Sequence, residues 1–291
     1  MKKSLLLIII SLYFSKNCFG QNQNIIEPNL SKTDLHQVNI GKIFFTQQRI
    51  PYENLNEDNF LKTYKLTNKS DIFFVAYFDN SLTNYKHQLI PKVSLDSLFK
   101  MGNYQFSLFV DNKLIYQSNL IPGAPQIKNQ NMDTYLNRPF IDNINGQGTW
   151  SESFWNRFMN NGGDTILTDG KHLLKMEIRP YVKTDKIITG EIIATGDLLL
   201  EVDRNPIIDI TKIKLNKVKP YDGLKTSKSY FDKSKIKQLK GAIDEGIYKK
   251  INSIIVLKEG KILIEEYFNG ENRNTLHDSR SVGKSFSSTL T

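Results

Sequence analysis

The sequence predicts a multidomain protein in which an all-β, sandwich-like domain is followed by a shorter α+β segment. Residues 41–203 contain several short runs of β-branched and aromatic residues, and these runs are separated by turn residues. Residues 204–230 are rich in lysine and contain proline and Asp-Gly turn signals, which is typical of a linker. Residues 231–291 combine a helical apolar stripe with two short strands. We therefore expect two folded domains, with the linker between them.

The β prediction for the first domain depends on strands that are bounded by recognisable turns. Residues 72–78 and 104–110 consist mainly of aromatic and β-branched residues. Asp111 and Asn112 are expected to turn the chain into a hairpin partner at 113–117. A turn and strand are predicted at 169–178, strands at 187–194 and 198–202, and a short helix or helical turn at 150–159. Many short strands with turns between them favour a β-sandwich.

The first twenty residues, 1–20, have the pattern of a secretory signal peptide. Two lysines precede an apolar run from Leu5 to Phe14, and small residues lead to a cleavage position after Gly20. This pattern predicts an exported protein, periplasmic or secreted, that begins with a polar tail at 21–40. The apolar run is shorter than the roughly 20 residues of a membrane helix, and no later run reaches that length. No stable membrane span is therefore expected after the signal is removed.

Cys18 is the only cysteine, so the processed chain is expected to contain none. Disulfides, a cysteine nucleophile and a thiolate metal site are therefore excluded from the prediction. A lipoprotein anchored at Cys18 remains the alternative to a cleaved signal. Lys16 and Asn17 oppose this alternative, because lipoprotein processing favours small residues at their positions.

The net charge of +9 comes from 39 basic and 30 acidic residues, and it does not predict nucleic-acid binding. The lysines are spread along the chain among acidic residues, without a basic stripe carrying aromatic residues. The other candidates for sites are interpreted as structural. The histidines lack metal-ligand spacing, the aspartates lack calcium-loop spacing, and the aromatic cluster is assigned to the core rather than to a ligand groove. These residues are His36, His87, His172 and His277; Asp164 and Asp169; and Trp150, Phe154, Trp155 and Phe158. No metal and no organic cofactor is predicted.

The second domain begins with a predicted helix capped by Asp232. Its apolar positions have helical spacing, and they are Ile236, Leu239, Ile243 and Ile247. Strands are expected at 253–258 and 261–268, joined at Glu259-Gly260. A final helix is expected to follow, capped by Asp278 or Ser279.

Ser281 and Lys284 are the candidate catalytic residues. A serine hydroxyl becomes a good nucleophile when a base removes its proton. On a helix, two residues three positions apart lie on the same side, so the amine of Lys284 is placed to reach the Ser281 hydroxyl. Such a pair predicts acyl transfer through a covalent acyl-serine. A lone Ser-x-x-Lys is a weak signal in so lysine-rich a chain, and its structural interpretation is a capping serine with a solvated lysine.

The order of the neighbouring motifs strengthens the prediction. A helix, a hairpin turning at Gly260, Glu266-Tyr267-Phe268 and then Arg280-Ser281-Val282-Gly283-Lys284-Ser285 follow one another. This order resembles the start of the β-lactamase-related serine hydrolases, a family that includes class C β-lactamases, penicillin-binding proteins and related esterases. The resemblance covers residues 222–291 and implies an α+β catalytic domain, with Ser281 as nucleophile and Lys284 as general base.

Two further motifs of that family, Tyr-x-Asn and Lys- or His-x-Gly, follow the serine in its members. Two matching triplets here precede Ser281, and neither is assigned a catalytic role: Tyr135-Leu136-Asn137 and Lys258-Glu259-Gly260. We therefore expect residues 231–291 to be the N-terminal fragment of a catalytic domain, inactive by itself.

The sequence supports two hypotheses about function. The first is an exported serine hydrolase acting on an ester, amide or peptide, including cell-wall-like substrates. The second is a non-catalytic binding module in which the sandwich engages a partner and the hydrolase segment is vestigial. The sequence leaves the substrate and the ligand of the sandwich open.

Overall fold

The computed structural model describes residues 24–28, 32–141 and 150–289. The chain divides into two compact units. The first unit comprises Met1–Tyr64 and Asp71–Glu201, and the second comprises Lys65–Ser70 and Val202–Thr291. The predicted signal peptide lies outside the described residues.

The described residues form a mixed α and β structure with several sheets. The strands are β1 (Ile43–Thr46), β2 (Thr63–Leu66), β3 (Ile72–Tyr77), β4 (Gly102–Val110), β5 (Lys113–Asn119), β6 (Tyr135–Ile141), β7 (Gly170–Lys183), β8 (Ile187–Thr189), β9 (Ala194–Val202), β10 (Ser253–Lys258) and β11 (Lys261–Tyr267). The α-helices are α1 (Asp34–Val38), α2 (Leu82–Leu89), α3 (Leu95–Met101), α4 (Ile127–Met132), α5 (Trp150–Phe158), α6 (Asp164–Ile166), α7 (Lys233–Asp244) and α8 (Gly283–Thr289). None of these helices combines the length and apolar character needed to cross a membrane.

The strands are arranged in three sheets. One sheet has the order β1-β3-β6, another has the order β2-β9-β7-β4-β5 with β8 added to β7, and the third is the β10–β11 pair. All six residues of β3 are buried, as expected for a central strand between two partners. Phe74 of β3 and Phe106 of β4 meet in a T-shaped contact with ring centroids 6.0 Å apart. Side chains from the two larger sheets therefore share one core.

The predicted hairpin of β4 and β5 is confirmed. Val110 pairs with Lys113 across the turn, and both turn residues, Asp111 and Asn112, have positive φ angles of 50° and 65°. Two positive φ angles are the signature of a type I′ turn, which aspartate and asparagine tolerate better than most residues. The local sequence therefore determines this turn.

The helix predicted at 150–159 is present as α5, and three of its aromatic residues belong to the core, while the side chain of Trp150 lies outside the described part of the structure. Phe154 and Phe158 are fully buried and Trp155 is 8% exposed. Phe154 contacts Phe106 at a centroid distance of 5.5 Å. The interpretation of these three residues as core rather than groove is confirmed.

Helix α1 lies inside the segment that was expected to be an irregular tail. Its His36 is fully buried, with ring nitrogens 2.8 Å from the Tyr52 hydroxyl and 2.9 Å from the Phe78 carbonyl oxygen. Burial lowers the pKa of His36, so the neutral ring is favoured. The helix has only five residues and is capped by Thr33. Five residues are too few for a helical period of apolar residues to be visible in the sequence.

Gly102 lies where the backbone of β4 passes close to the Tyr181 carbonyl group of β7. A β-carbon at this position would clash with the Tyr181 carbonyl group. We expect Gly102→Ala to lower the free energy of unfolding by about 3 kcal/mol, because two paired backbones cannot separate without losing hydrogen bonds. Gly223→Ala is the matched control, since Gly223 has φ +77° in open space and should cost about 1 kcal/mol. Urea unfolding measures both, and equal losses would contradict the steric explanation.

In the second unit, Asp232 caps α7 as predicted. Its carboxylate accepts hydrogen bonds from the backbone N–H groups of Ser234 and Lys235, at 2.9 and 3.2 Å. The helix ends at Asp244, whereas the predicted apolar stripe extends one turn further to Ile247. Gly246 adopts φ +74° and stops the helix in a Schellman arrangement. Ile247 therefore lies outside α7, where it is 42% exposed.

The segment expected to be a linker is bound to β11. The N–H of Asn216 donates to Glu266 Oε1 at 2.7 Å, and the N–H of Ser227 donates to the Ile262 carbonyl at 2.8 Å. The other Glu266 oxygen is bound by the ammonium of Lys240 on α7. Residues 204–230, predicted as a linker, are thus part of the second unit, because backbone groups that carry no sequence signal find partners on β11.

We expect Glu266→Gln to destabilise the second unit by about 3 kcal/mol. The Glu266 side chain is 2% exposed and that of Lys240 is 16% exposed, so the substitution leaves a poorly solvated ammonium without its counter-charge. The control is Asp203→Asn, which breaks the exposed pair with Lys65 and should cost less than about 1 kcal/mol. Unfolding in denaturant measures the loss of stability in Glu266→Gln and in Asp203→Asn. Similar losses would show that Glu266 acts as an ordinary surface charge.

Candidate functional site

Ser281 and Lys284 lie on consecutive turns of the last helical segment. A 3-10 turn covers Arg280–Val282, and α8 follows it directly. The N–H of Val282 donates to the Ser279 carbonyl at 3.0 Å and closes the turn. The expectation that one α-helix carries both residues is therefore corrected, since Ser281 precedes α8. The 3-10 geometry has about three residues per turn, so the spacing still places both side chains on similar sides of the segment.

Both side chains are exposed among the described residues. A lysine that serves as a base has to be partly removed from water, or placed near other cations. None of the described residues removes the Lys284 ammonium from water, because its side chain is exposed. The described residues therefore place Ser281 and Lys284 on consecutive turns as exposed side chains, without a closed pocket around them.

The hairpin before this segment has the predicted form. Lys258 pairs with Lys261, and the two residues between them, Glu259 and Gly260, have φ angles of 50° and 67°. These angles again indicate a type I′ turn. The triplet Lys258-Glu259-Gly260 therefore builds a hairpin turn, as expected.

Arg273 anchors the loop that leads from β11 to Ser281. Its guanidinium binds the carboxylate of Glu265 through two nitrogens, with Nε 2.6 Å from Oε1. The same guanidinium donates to the backbone carbonyls of Lys219 and Pro220, at 3.0 and 3.1 Å. The hydrogen bond from Arg273, helped by one from the Tyr267 hydroxyl, holds the pKa of Glu265 below its usual range. Sequence reasoning missed this anchor, because an isolated arginine in a polar loop carries no local signal.

The other matching triplet, Tyr135-Leu136-Asn137, lies in the first unit and makes structural contacts there. Tyr135 stacks on Tyr52 with ring centroids 4.1 Å apart. The amide of Asn137 donates to the Ile50 carbonyl at 2.7 Å. These contacts fasten β6 to the segment after β1 and agree with the absence of a catalytic assignment.

The first unit contains a cavity of about 660 Å³. We call it the Phe44 cavity, and its lining combines three carboxylates and two ammonium groups with a pair of phenylalanine rings. The lining residues are Asn39, Lys42, Ile43, Phe44, Glu57, Asp58, Phe60, Leu61, Lys62, Thr195, Gly196 and Asp197. They come from three separate segments of the chain, so no sequence pattern predicts the cavity.

Backbone hydrogen bonds fix the walls of the Phe44 cavity to one another. The N–H of Leu61 donates to the Phe45 carbonyl at 2.8 Å, and the N–H of Thr195 donates to the Gly41 carbonyl at 3.0 Å. Gly196 allows the close approach, since a β-carbon there would clash with the Ile43 carbonyl. The cavity is therefore framed by ordered backbone and not only by side chains.

Among the residues that the structure describes, no group of three or more histidine, cysteine or acidic side chains could hold a metal ion. No protein-family model, no curated protein and no solved structure matches this chain.

Proposed function

We propose that residues 231–291 form the beginning of a β-lactamase-related serine hydrolase domain acting on an ester, amide or peptide. Ser281 is the nucleophile and Lys284 the general base of an acyl-serine mechanism. The observation that supports this proposal is the placement of these residues on consecutive helical turns, after a capped helix and an antiparallel hairpin. This is the order of elements that the motif resemblance implies. Cell-wall-like peptides are among the substrates that the proposal includes.

The edge of β10 supports the proposal that further chain completes this domain. In the part of the chain that the structure describes, β10 pairs with β11 alone. Its Ile255 and Leu257 are 55% and 52% exposed. An exposed apolar edge strand is a surface on which another strand can pair. In the resembled family, a strand from the C-terminal part of the domain closes the sheet, and that strand carries the Lys- or His-x-Gly motif of the catalytic site.

The proposal includes export, either with a cleaved signal at residues 1–20 or with a lipid anchor at Cys18. The pattern of charged, apolar and small residues supports it. The mass of the mature N-terminus tests both forms, because cleavage after Gly20 leaves Gln21 first. An unprocessed Met1 in the exporting host would exclude both.

A second function is an exported binding module with a β-sandwich. Two observations favour it. The two larger sheets share a core through Phe74 and Phe106, and the first unit contains the Phe44 cavity. In this function the Ser281 segment has no catalytic role.

Reading the gene beyond codon 291 is the first test of the hydrolase. A continuing frame of about 200 residues, with a Tyr-x-Asn and then a Lys- or His-x-Gly on a strand, is expected for a full domain. The protein from that frame should be labelled covalently by an acylating probe such as a fluorescent penicillin or a fluorophosphonate. A stop codon at that point, or a full-length protein that neither probe labels, would reject the hydrolase in favour of the binding module.

A further inference from the structure

We propose that the Phe44 cavity binds a short zwitterionic peptide, with its ammonium at the carboxylates and its carboxylate near Lys62. This inference deepens the binding module proposed above and is independent of catalysis at Ser281. It rests on the charges, the aromatic surface and the ordered walls of the cavity.

The charges of the cavity are largely uncompensated. Asp58, Asp197 and Lys62 are exposed side chains that form no ion pair with any residue the structure describes. Lys42 differs, because its ammonium already donates to the Val38 carbonyl and to Asn39 Oδ1, at 3.3 and 3.1 Å. Unpaired charges of both signs around one cavity complement a ligand that itself carries both signs.

A stacked pair of rings supplies an apolar surface in the lining of the same cavity. Phe44 and Phe60 lie 4.1 Å apart between centroids and are inclined by 10°. Phe44 also makes a T-shaped contact with Tyr77, with 6.2 Å between centroids, so the Phe44 ring packs on a second aromatic ring. Phe44 and Phe60 are both half-buried residues of the cavity lining. An apolar side chain in the middle of the peptide can pack there and remove its surface from water.

Charge distinguishes the peptide from a neutral sugar, and the volume of the cavity suits a small ligand. A neutral oligosaccharide would take Asp58, Asp197 and Lys62 partly out of water without a counter-charge, which costs free energy. The volume of about 660 Å³ falls within the range of roughly 300–1,000 Å³ of small-ligand sites. Because ordered backbone frames the walls, little conformational entropy is lost when a ligand enters.

The test uses the 291-residue chain carrying Ser281→Ala, so that binding is measured independently of any reaction at Ser281. The probe is the tripeptide Ala-Leu-Ala with free termini, titrated by calorimetry and by amide NMR. We expect saturable binding, with shifts at residues 42–44, 58–62 and 195–197. The capped peptide acetyl-Ala-Leu-Ala-amide should bind at least about tenfold more weakly, a difference of about 1.4 kcal/mol. Chitotriose is the neutral comparison and should not compete.

Two exposed substitutions map the contacts without disturbing the core. Lys62→Gln and Asp58→Asn should each weaken binding about five- to tenfold. Lys113→Gln on β5 removes an exposed lysine outside the cavity and should leave binding unchanged. The proposal is overturned if the free tripeptide does not saturate, if the capped peptide or chitotriose binds equally well, or if the shifts lie elsewhere. None of these outcomes bears on acylation at Ser281, which the labelling experiment decides separately.

Discussion

Ser281→Ala is expected to abolish covalent labelling of the protein translated through and beyond codon 291. The hydroxyl of Ser281 is the group that would form the acyl bond, and alanine has no atom that can replace it. The rate of acylation should fall by at least about 10³-fold. In-gel fluorescence against time measures the change, with the site of attachment identified by peptide mass spectrometry.

Two neighbouring variants make this result specific. Ser285→Ala removes an exposed hydroxyl one turn away on α8 and should label at the normal rate. Lys284→Gln should label slowly, by about 10²- to 10³-fold, because the nucleophile remains while its base is lost. If Ser281→Ala still acquired the label, or if Ser285→Ala lost it, Ser281 would not be the nucleophile.

Raising the pH from about 7.5 to about 9.5 is expected to stabilise the first unit by about 2 kcal/mol. The cause is Lys86 of α2, which is fully buried. Its ammonium donates to the Leu98 carbonyl at 2.7 Å and to Gln130 Oε1 at 2.5 Å, both uncharged acceptors. Burial lowers the pKa of Lys86 to about 8, whereas a lysine in the unfolded chain has a pKa of about 10.4.

The sign follows from proton binding. Between these two pKa values the unfolded chain binds the proton and the folded unit releases it, so the unfolding free energy increases with pH. Below the folded-state pKa both forms are protonated, and the cost of burying the charge is fully present. Above about pH 10 the trend reverses. Burial raises the pKa of Tyr104 and Tyr77, and raises that of Tyr85 to about 12, so the unfolded chain ionises these tyrosines first.

Lys86→Met is the control for this effect. It keeps the length of the side chain and removes the titrating group, so the increase in stability between pH 7.5 and 9.5 should disappear. The Leu98 carbonyl and Gln130 Oε1 would lose a donor, which lowers the stability at high pH by about 1–3 kcal/mol. Urea unfolding at several pH values gives both quantities. A wild-type protein whose stability is flat over this range would show that Lys86 stays charged in the fold.

The candidate site illustrates how far local sequence reaches. The placement of Ser281 and Lys284 on similar sides of the segment depends on a spacing of three residues, which any helical turn preserves, so the change from α-helix to 3-10 turn does not alter it. The anchoring of Arg273 on Glu265 and the carbonyls of Lys219 and Pro220 could not be predicted. It requires three segments to meet, and each is an ordinary polar stretch by itself.

The sequence by itself determined the elements whose signals are local. The β4–β5 and β10–β11 hairpins follow from turn residues that accept positive φ, and α7 follows from an apolar period with Asp232 as its cap. Only the tertiary structure decided the short polar helices, the burial of Lys86 and the assembly of the Phe44 cavity. A buried lysine looks like a surface residue in the sequence, because the neutral acceptors that satisfy its ammonium lie on other elements. Turn geometry is a property of two or three consecutive residues, whereas burial is a property of contacts between residues far apart in the chain.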